Sequence, residues 1–328
     1  MLVGGQRLPR GSLPTARRTG YQDASVPEKL IIAVGAHGDP TGEVMARSPR
    51  EIAFRKILAN KAALVGLILF ALVLLVAVLA PVVARYDPSV QFPDGLRADG
   101  SPVGPSAKFW LGTDDLGRDL YSRLIYGART SMQVAVLANA ISTTIGVVVG
   151  SVAGFAGGLV DTLLMRFTDA MMSFPVILFA AFLVAVLEPS TWVLVLVIGF
   201  VGWFYLARIV RVEVLAIKRK EFVQAARCIG VGRVRILLDH VLPQVSGQVM
   251  VFATLSFSTT VLYEAVLSYL GIGVQPPTPS WGNIISGGTA YIATAPWMVV
   301  FPGVALATTV LALNLLGDGL RDALDPRG

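Results

Sequence analysis

Twenty-three consecutive residues, 62 to 84, carry no charged side chain and are bracketed by Lys61 and Arg85. At ~1.5 Å of rise per residue such a run reaches ~35 Å as a helix, enough to cross a hydrocarbon core of ~30 Å. A helix is also the form in which a single segment satisfies all its backbone polar groups inside lipid. Comparable apolar stretches lie between Arg129 and Asp161 and over 163–187, 190–211, 244–270 and 295–316. The pattern predicts six transmembrane helices in an all-α, polytopic membrane protein. Composition agrees, since only 15% of the 328 residues are charged, against ~25% in soluble domains. The third stretch is interrupted near its start by Arg166 and Asp169, which share a helical face and are expected to pair with each other at an interface. Pro175 and Pro302 allow kinks in the third and sixth spans.

Lysine and arginine set the orientation, because short cytoplasmic loops keep the positive excess. Residues 1–61 hold ten, 208–239 hold eight and 271–294 hold none. Both termini and the 208–239 loop are therefore expected in the cytoplasm. Six basic residues within 85–130 run against this pattern, although six aspartates neutralise them. The resulting plan is a disordered cytoplasmic tail over 1–50, a first transmembrane helix with an external loop over 51–130, a core of five helices over 131–316, and a cytoplasmic C-terminal tail over 317–328. The first 45 residues are rich in Gly, Pro, Arg and Ser and contain no signal-peptide core, and Met45 offers an alternative start. The single Cys228 cannot form an internal disulfide.

The most basic internal stretch carries a helical period, with Val210, Val214, Ile217, Phe222, Ala225, Ala226 and Ile229 apolar and Arg211, Lys218, Arg219 and Lys220 offering a cationic face. A helix is predicted to run out of the bilayer and stop at Gly230 and Gly232. A second short helix follows over Val234 to His240, and Pro243 suits the first turn of the next span. The segment from Gln224 to Gly230 with His240, Leu242 and Pro243 is where such a projection would receive force from a partner protein. Ala225, Ala226 and Gly230 would dock on a flank that the adjacent alanines keep thin, and Leu242 and Pro243 would set the exit angle into the fifth span. A basic helix lying on anionic lipid is the alternative that spacing alone leaves open.

Inside the bilayer, Ala138, Ser142, Gly146, Gly150, Gly154 and Gly158 recur every four residues and predict a face against which another helix packs closely. Glu264 lies ~20 residues into the fifth span, where partial burial is expected. With Tyr263 it is a candidate for contact with a passing solute; a structural bond to Tyr263, Ser268 or a loop amide is the plainer reading. Outside the bilayer, Asp114, Asp115, Arg118 and Asp119 lack the order of a calcium loop and read as an ion-paired turn. The sequence shows no Gly-x4-Gly-Lys-Ser/Thr loop, so any ATP must be hydrolysed by another subunit. Two histidines and one cysteine assemble neither a zinc site nor a nucleophilic triad, so no metal, cofactor or enzymatic activity is expected in this chain. The basic stretch has no interleaved aromatics and does not read as a nucleic-acid surface.

Four blocks in order carry a resemblance. The first is Leu111-Gly112-Thr113-Asp114-Asp115-Leu116-Gly117-Arg118-Asp119 with Ser122-Arg123, Gly127 and Arg129. The second is Asp161, Met165-Arg166, Asp169 and Ser173-Phe174-Pro175. The third is the Gln224 to Pro243 segment. The fourth joins Leu267 to Gly273 with Pro276 to Gly282, and closes with Asn314 to Pro326. Together they resemble the plasma (inner) membrane permease subunits of binding-protein-dependent ABC importers, most closely the second (C-type) permease of dipeptide, oligopeptide and nickel systems, over about 50–327.

The resemblance implies a type I importer permease fold in which 213–243 forms coupling helices seated in a cytoplasmic ATPase. ATP and Mg would be held by the ATPase subunits. A second homologous permease would complete the pathway, and an external solute-binding protein would meet 85–130 and 271–294, including Trp281. Gln224 replaces the glutamate of the family motif, and His240 stands where isoleucine is common. The expected activity is ATP-driven uptake of short peptides by alternating access, with nickel complexes, haem or another small solute as alternatives. A gradient-driven secondary transporter would more often show paired ionisable groups near the midplane and matching broken helices. A scaffold without transport gives no reason for the four blocks to co-occur.

Overall fold

A computed structural model describes residues 59–324. The expected tail over 1–50 lies outside the described residues. The first apolar run forms α1 (Lys61–Val78) and its short continuation α2 (Ala80–Val83). Asn60 caps α1 by accepting from the Ala62 and Ala63 amides at 3.0 and 3.2 Å. Residues 84–119 then form a folded segment pinned by isolated bridges between Gln91 and Arg118, Leu96 and Pro102, and Thr113 and Asp119.

The next helix, α3 (Leu120–Ala156), begins ten residues before the uncharged run does, because Asp119 caps it and accepts from the Ser122 amide at 2.8 Å. Arg123 and Arg129 therefore ride on the helix instead of preceding it, which moves the expected boundary at 130. At the other end Gly157 turns to φ +71°, and Gly158, at φ +57°, opens α4 (Gly158–Met172). The third apolar stretch is not one rod: α4 and α5 (Val176–Val186) meet at 88°. Pro175 has no amide hydrogen and holds the residue before it away from helical geometry, so the chain bends at Ser173-Phe174-Pro175.

The chain continues as α6 (Thr191–Ile217), α7 (Glu221–Cys228), α8 (Arg233–Ile236), a π-helical turn (Leu237–Val241) and α9 (Leu242–Tyr269). Two helices complete it, α10 (Trp281–Gly288) and α11 (Trp297–Leu324). Among the described residues five helical segments are long and apolar enough to cross a membrane, and six if the bent pair counts as one. The helix of the last span extends to Leu324, so 317–324, expected as tail, is helical.

Small residues set the packing. A Cβ on Gly146 would lie 2.9 Å from Leu206 Cβ, one on Gly150 2.8 Å from Val210 Cβ, and one on Gly154 2.8 Å from the Arg211 carbonyl oxygen. The contacts climb both helices together, so α3 and α6 run parallel with their backbones in near contact. Ala138 and Ser142 are buried on the same face, but Gly158 has left it, since a Cβ there would meet nothing within 4 Å. A second close contact joins α1 to α11 in the antiparallel sense, with Gly66 facing the Ala312 carbonyl and Gly319 facing Ala63. Asn139 ties α3 to α9 by donating to the Ala253 carbonyl at 3.0 Å and accepting from Ser256 at 2.9 Å.

Candidate functional site

At the end of the bundle where α6 stops, the predicted projection is present in altered form. The continuous helical period from Val210 to Ile229 is broken at 218–220, where the Arg219 and Lys220 amides bond to the Ala216 and Ile217 carbonyls at 3.3 and 2.9 Å. The cationic face is correspondingly reduced. Arg211 bonds bidentately to Asp161 on α4, and Lys218 donates to the Phe155 carbonyl.

Beyond the break, α7 ends in a Schellman motif. The Gly230 amide bonds to the Arg227 carbonyl at 3.0 Å and the Val231 amide to the Ala226 carbonyl at 3.1 Å, with Gly230 at φ +84°. Only glycine enters this left-handed position without steric cost, and the second bond spans five residues, from Ala226 to Val231. The spacing of Ala225, Ala226 and Gly230 is thus the spacing of a helix cap. Ala226 is buried with Val223, Ile236 and Val241 in the apolar cluster that roots the projection on Val210, Val214 and Val245. Its small side chain serves the inside of the projection, and it is not part of the outer surface. Gln224, Ala225 and Gly230 are exposed. The Gln224 amide donates to the Lys218 carbonyl at 3.2 Å and closes the turn on its own chain. A tip of Ile229, 81% exposed, and Val234, 70% exposed, faces outward, and Phe222 and Leu238 of the same projection are exposed as well.

The π-helical turn has a local cause. Proline at 243 lacks an amide hydrogen, and its ring would strike the carbonyl four residues back in an α-helix. Widening the preceding turn removes that clash, and the Leu242 amide bonds to the Leu237 carbonyl, five residues away. His240 sits in this turn with Nδ1 buried and without a hydrogen-bond partner among the described residues. Leu242 is half-buried and Pro243 exposed where the chain enters α9.

At the opposite end Asp114 organises 84–119. Its carboxylate accepts from Arg118 Nε at 2.6 Å and from the Leu116 and Arg118 amides at 3.0 and 2.9 Å, while Arg123 Nε lies 3.0 Å away. The ion-paired turn expected over 114–119 is what forms, with Arg123 as a member that spacing did not single out. Burial, reinforced by the adjacent Asp114 charge, pushes the Asp115 carboxyl above its ordinary range. Asp119 serves as a cap.

Two expectations inside the bundle are corrected. Asp169 pairs with Arg208 of α6 and not with Arg166, because the bend after α4 lays that helix against α6. Glu264 is wholly buried, not partly so. The reason is α10, which lies in a stretch, 271–294, whose glycines and prolines read as loop. Ser280 and Asn283 cap it reciprocally, at 3.3 and 2.9 Å, a Ser-x-x-Asn variant of the capping box that could have flagged the helix. Trp281, expected in an external loop, is buried at the start of α10 and donates to the Leu124 carbonyl at 3.1 Å. Beneath it Glu264 Oε1 accepts from Ser268 at 2.8 Å, with the buried hydroxyls of Ser131 and Ser280 alongside. Its Oε2 has no hydrogen-bond partner among the described residues. Glu264 is enclosed here and does not line the cleft between α6 and α9.

Tyr263, one residue earlier, does. It lines this cleft with Tyr205, Ser256 and Thr259, alongside Ser142 of α3 and the apolar Val176, Val201, Phe252 and Leu255.

Comparison with known proteins adds to this geometry. The family described as binding-protein-dependent transport system inner membrane component matches residues 146–327, and the N-terminal TM domain of oligopeptide transport permease C matches 48–99. The dipeptide transport system permease protein of Alkalihalophilus pseudofirmus is 40% identical over 288 residues, covering 88% of this chain and 93% of the relative. A di/tripeptide transport system permease protein of Pseudomonas aeruginosa is 43% identical over 281 residues, covering 85% and 93%. An oligopeptide transport system permease protein of Bacillus subtilis is 40% identical over 305 residues, covering 92% and 98%.

Proposed function

Since the chain belongs to the family of binding-protein-dependent transport system inner membrane components, we propose that it is a membrane-spanning subunit of an ATP-driven importer of short peptides. The observation that carries the coupling part of this reading is the capped projection over 221–241. It presents an apolar tip, Ile229 and Val234, at the end of the bundle, on a root packed against α6 and α9. Such a patch, flanked by Arg219, Lys220, Arg227 and Arg233, calls for a protein partner with an apolar cleft and an acidic rim.

In this reading the partner is an ATPase subunit that binds ATP and Mg, and the projection and both termini lie in the cytoplasm. A second homologous permease completes the pathway. An external solute-binding protein delivers peptide to the 84–119 segment and the neighbourhood of α10. Closure of the ATPases around ATP moves the projection, and with it α6 and α9, so that access alternates between the two sides. Peptide is the cargo because the relatives that match nearly the whole chain are dipeptide, di/tripeptide and oligopeptide permeases.

The test uses the assembled transporter in proteoliposomes. Gly230→Asp places a charged, branched residue at φ +84° on the outer face of the cap, and it is expected to leave membrane insertion intact while abolishing ATP-dependent uptake. Gly232→Ala, at a position with φ −62°, is expected to retain it. Uptake at the wild-type rate in Gly230→Asp would overturn the coupling role. Prompt loss of uptake on collapsing the proton gradient at fixed ATP would point instead to gradient-driven transport.

A further inference from the structure

The cleft between α6 and α9, walled in part by Val176, Val201, Phe252 and Leu255, carries a group of hydroxyls near the middle of both helices. Tyr205 is the fifteenth of 27 residues in α6 and is 53% exposed. Ser256 and Thr259 lie just past the centre of α9, with Tyr263 a turn further on, and Ser142 lies on α3 behind them. Among the described residues, the hydroxyls of Tyr205, Thr259 and Tyr263 take part in no hydrogen bond. Ser256 spends its hydrogen on Asn139 and keeps lone pairs open. At mid-bilayer depth an unsatisfied hydroxyl costs several kcal/mol against lipid, so a face that carries a row of them opens on water or on something polar that passes. The flanking faces differ. On α6, Leu196 and Phe200 present plain hydrocarbon. No charged side chain lines the cleft, and the nearest charge along α6, Arg208, is neutralised by Asp169.

Resting on the peptide-importer reading above, we infer that Tyr205, Ser256, Thr259 and Tyr263 form the stretch of the pathway that grips the moving peptide, and that they hold it by its main-chain amide and carbonyl groups. Hydroxyls both donate and accept, so they can exchange bonds with successive peptide units as these slide past. The four positions on the two helices span roughly 10 Å along α9, the length of about three extended residues. A lining without charge neither attracts nor retains acidic or basic side chains, so the cleft is indifferent to peptide charge. Charge selection, where the importer shows any, then arises before the membrane.

The experiment reconstitutes the full transporter and measures ATP-driven uptake of Ala-Ala, Asp-Ala and Lys-Ala. Wild-type uptake of these peptides tests the underlying reading, and its failure for all three would remove both. Given wild-type uptake, Tyr205→Phe, Thr259→Val and Tyr263→Phe each delete one hydroxyl at nearly constant volume. Each is expected to slow all three peptides by a similar factor, about three- to tenfold per hydroxyl, with assembly and basal ATP hydrolysis unchanged. Unchanged uptake in the triple variant, or a loss confined to one charge class, would overturn the inference. Should the triple variant fail to assemble, Thr259→Cys in a Cys228→Ser background decides the matter. A polar methanethiosulfonate reagent is expected to label it in the assembled transporter, and a thiol that stays inert in every nucleotide state would refute a water-lined cleft.

Discussion

Replacing Gly150 by alanine tests whether the contact between α3 and α6 is as tight as the structure gives it. The added Cβ would lie 2.8 Å from Val210 Cβ and closer still to the Ala207 carbonyl oxygen. Two carbons rest at about 3.5–4.0 Å, so the helices must part by roughly 1 Å at this level. Neither obstacle is the far end of a flexible side chain, and Gly146 and Gly154, one turn to either side, meet Leu206 and the Arg211 carbonyl just as closely. The strain has no local outlet, and over-packing of this kind costs about 1–3 kcal/mol. The matched control is Gly303→Ala in α11, where a Cβ would meet nothing within 4 Å and helix propensity favours alanine by up to about 1 kcal/mol. Thermal denaturation of the two purified variants, in the same detergent and complex, is the assay. Gly150→Ala should melt below wild type and Gly303→Ala at or above it. Because α6 leads straight into 218–220, the first variant should also lose uptake per ATP hydrolysed. Equal melting temperatures for Gly150→Ala and wild type would refute the claim that backbone proximity along 146–154 holds the two helices in register.

Two further outcomes are expected. Asp114→Asn leaves Arg118 and Arg123 buried without their shared carboxylate; the loss should reach about 3–5 kcal/mol and show as protease sensitivity of 84–119 while α6–α9 stay protected. Gln224→Glu replaces the donor that closes on the Lys218 carbonyl with a group that can only accept. That should loosen the turn by about 1 kcal/mol, read as faster amide exchange over 218–224, whereas Gln224→Asn or →Ala should not reverse the sign.

The long helices are legible in the sequence because lipid imposes its demand residue by residue, and a run such as 62–84 meets it without help from elsewhere. The small-residue stripe is legible for a similar reason, although its last member is not, since Gly157 ends the helix through a positive φ that spacing does not encode. What spacing misses is tertiary. Asp169 has a neighbour three residues away on its own helix and a better one on α6, brought there by the bend at Pro175. Glu264 looks half-exposed along α9 until α10 folds over it, and α10 hides in a stretch whose glycines and prolines read as loop. Ala226 and Ala225 are adjacent and chemically alike, yet one is core and the other surface. Only the direction of the α7 axis relative to Ile236 and Val241 separates them, and that direction is set by the cap at Gly230.

The π turn at Leu237–Val241 bears on how the projection is joined to α9. Each residue of an α-helix advances its face by ~100°, so one residue more in a single turn leaves all of α9 rotated relative to the helix that would otherwise have followed α8. Within the wide turn the Leu242 amide reaches back five residues, to the Leu237 carbonyl, in place of four. The projection is thus joined to its two neighbours by unlike links: to α6 through the non-helical turn at 218–220, which the Gln224 amide closes on the Lys218 carbonyl, and to α9 through a helix that is unbroken but widened by one residue. Under the proposed coupling, a push at the projection would reach Tyr205 and Tyr263 through these unlike links, so the two walls of the cleft are expected to move by different amounts.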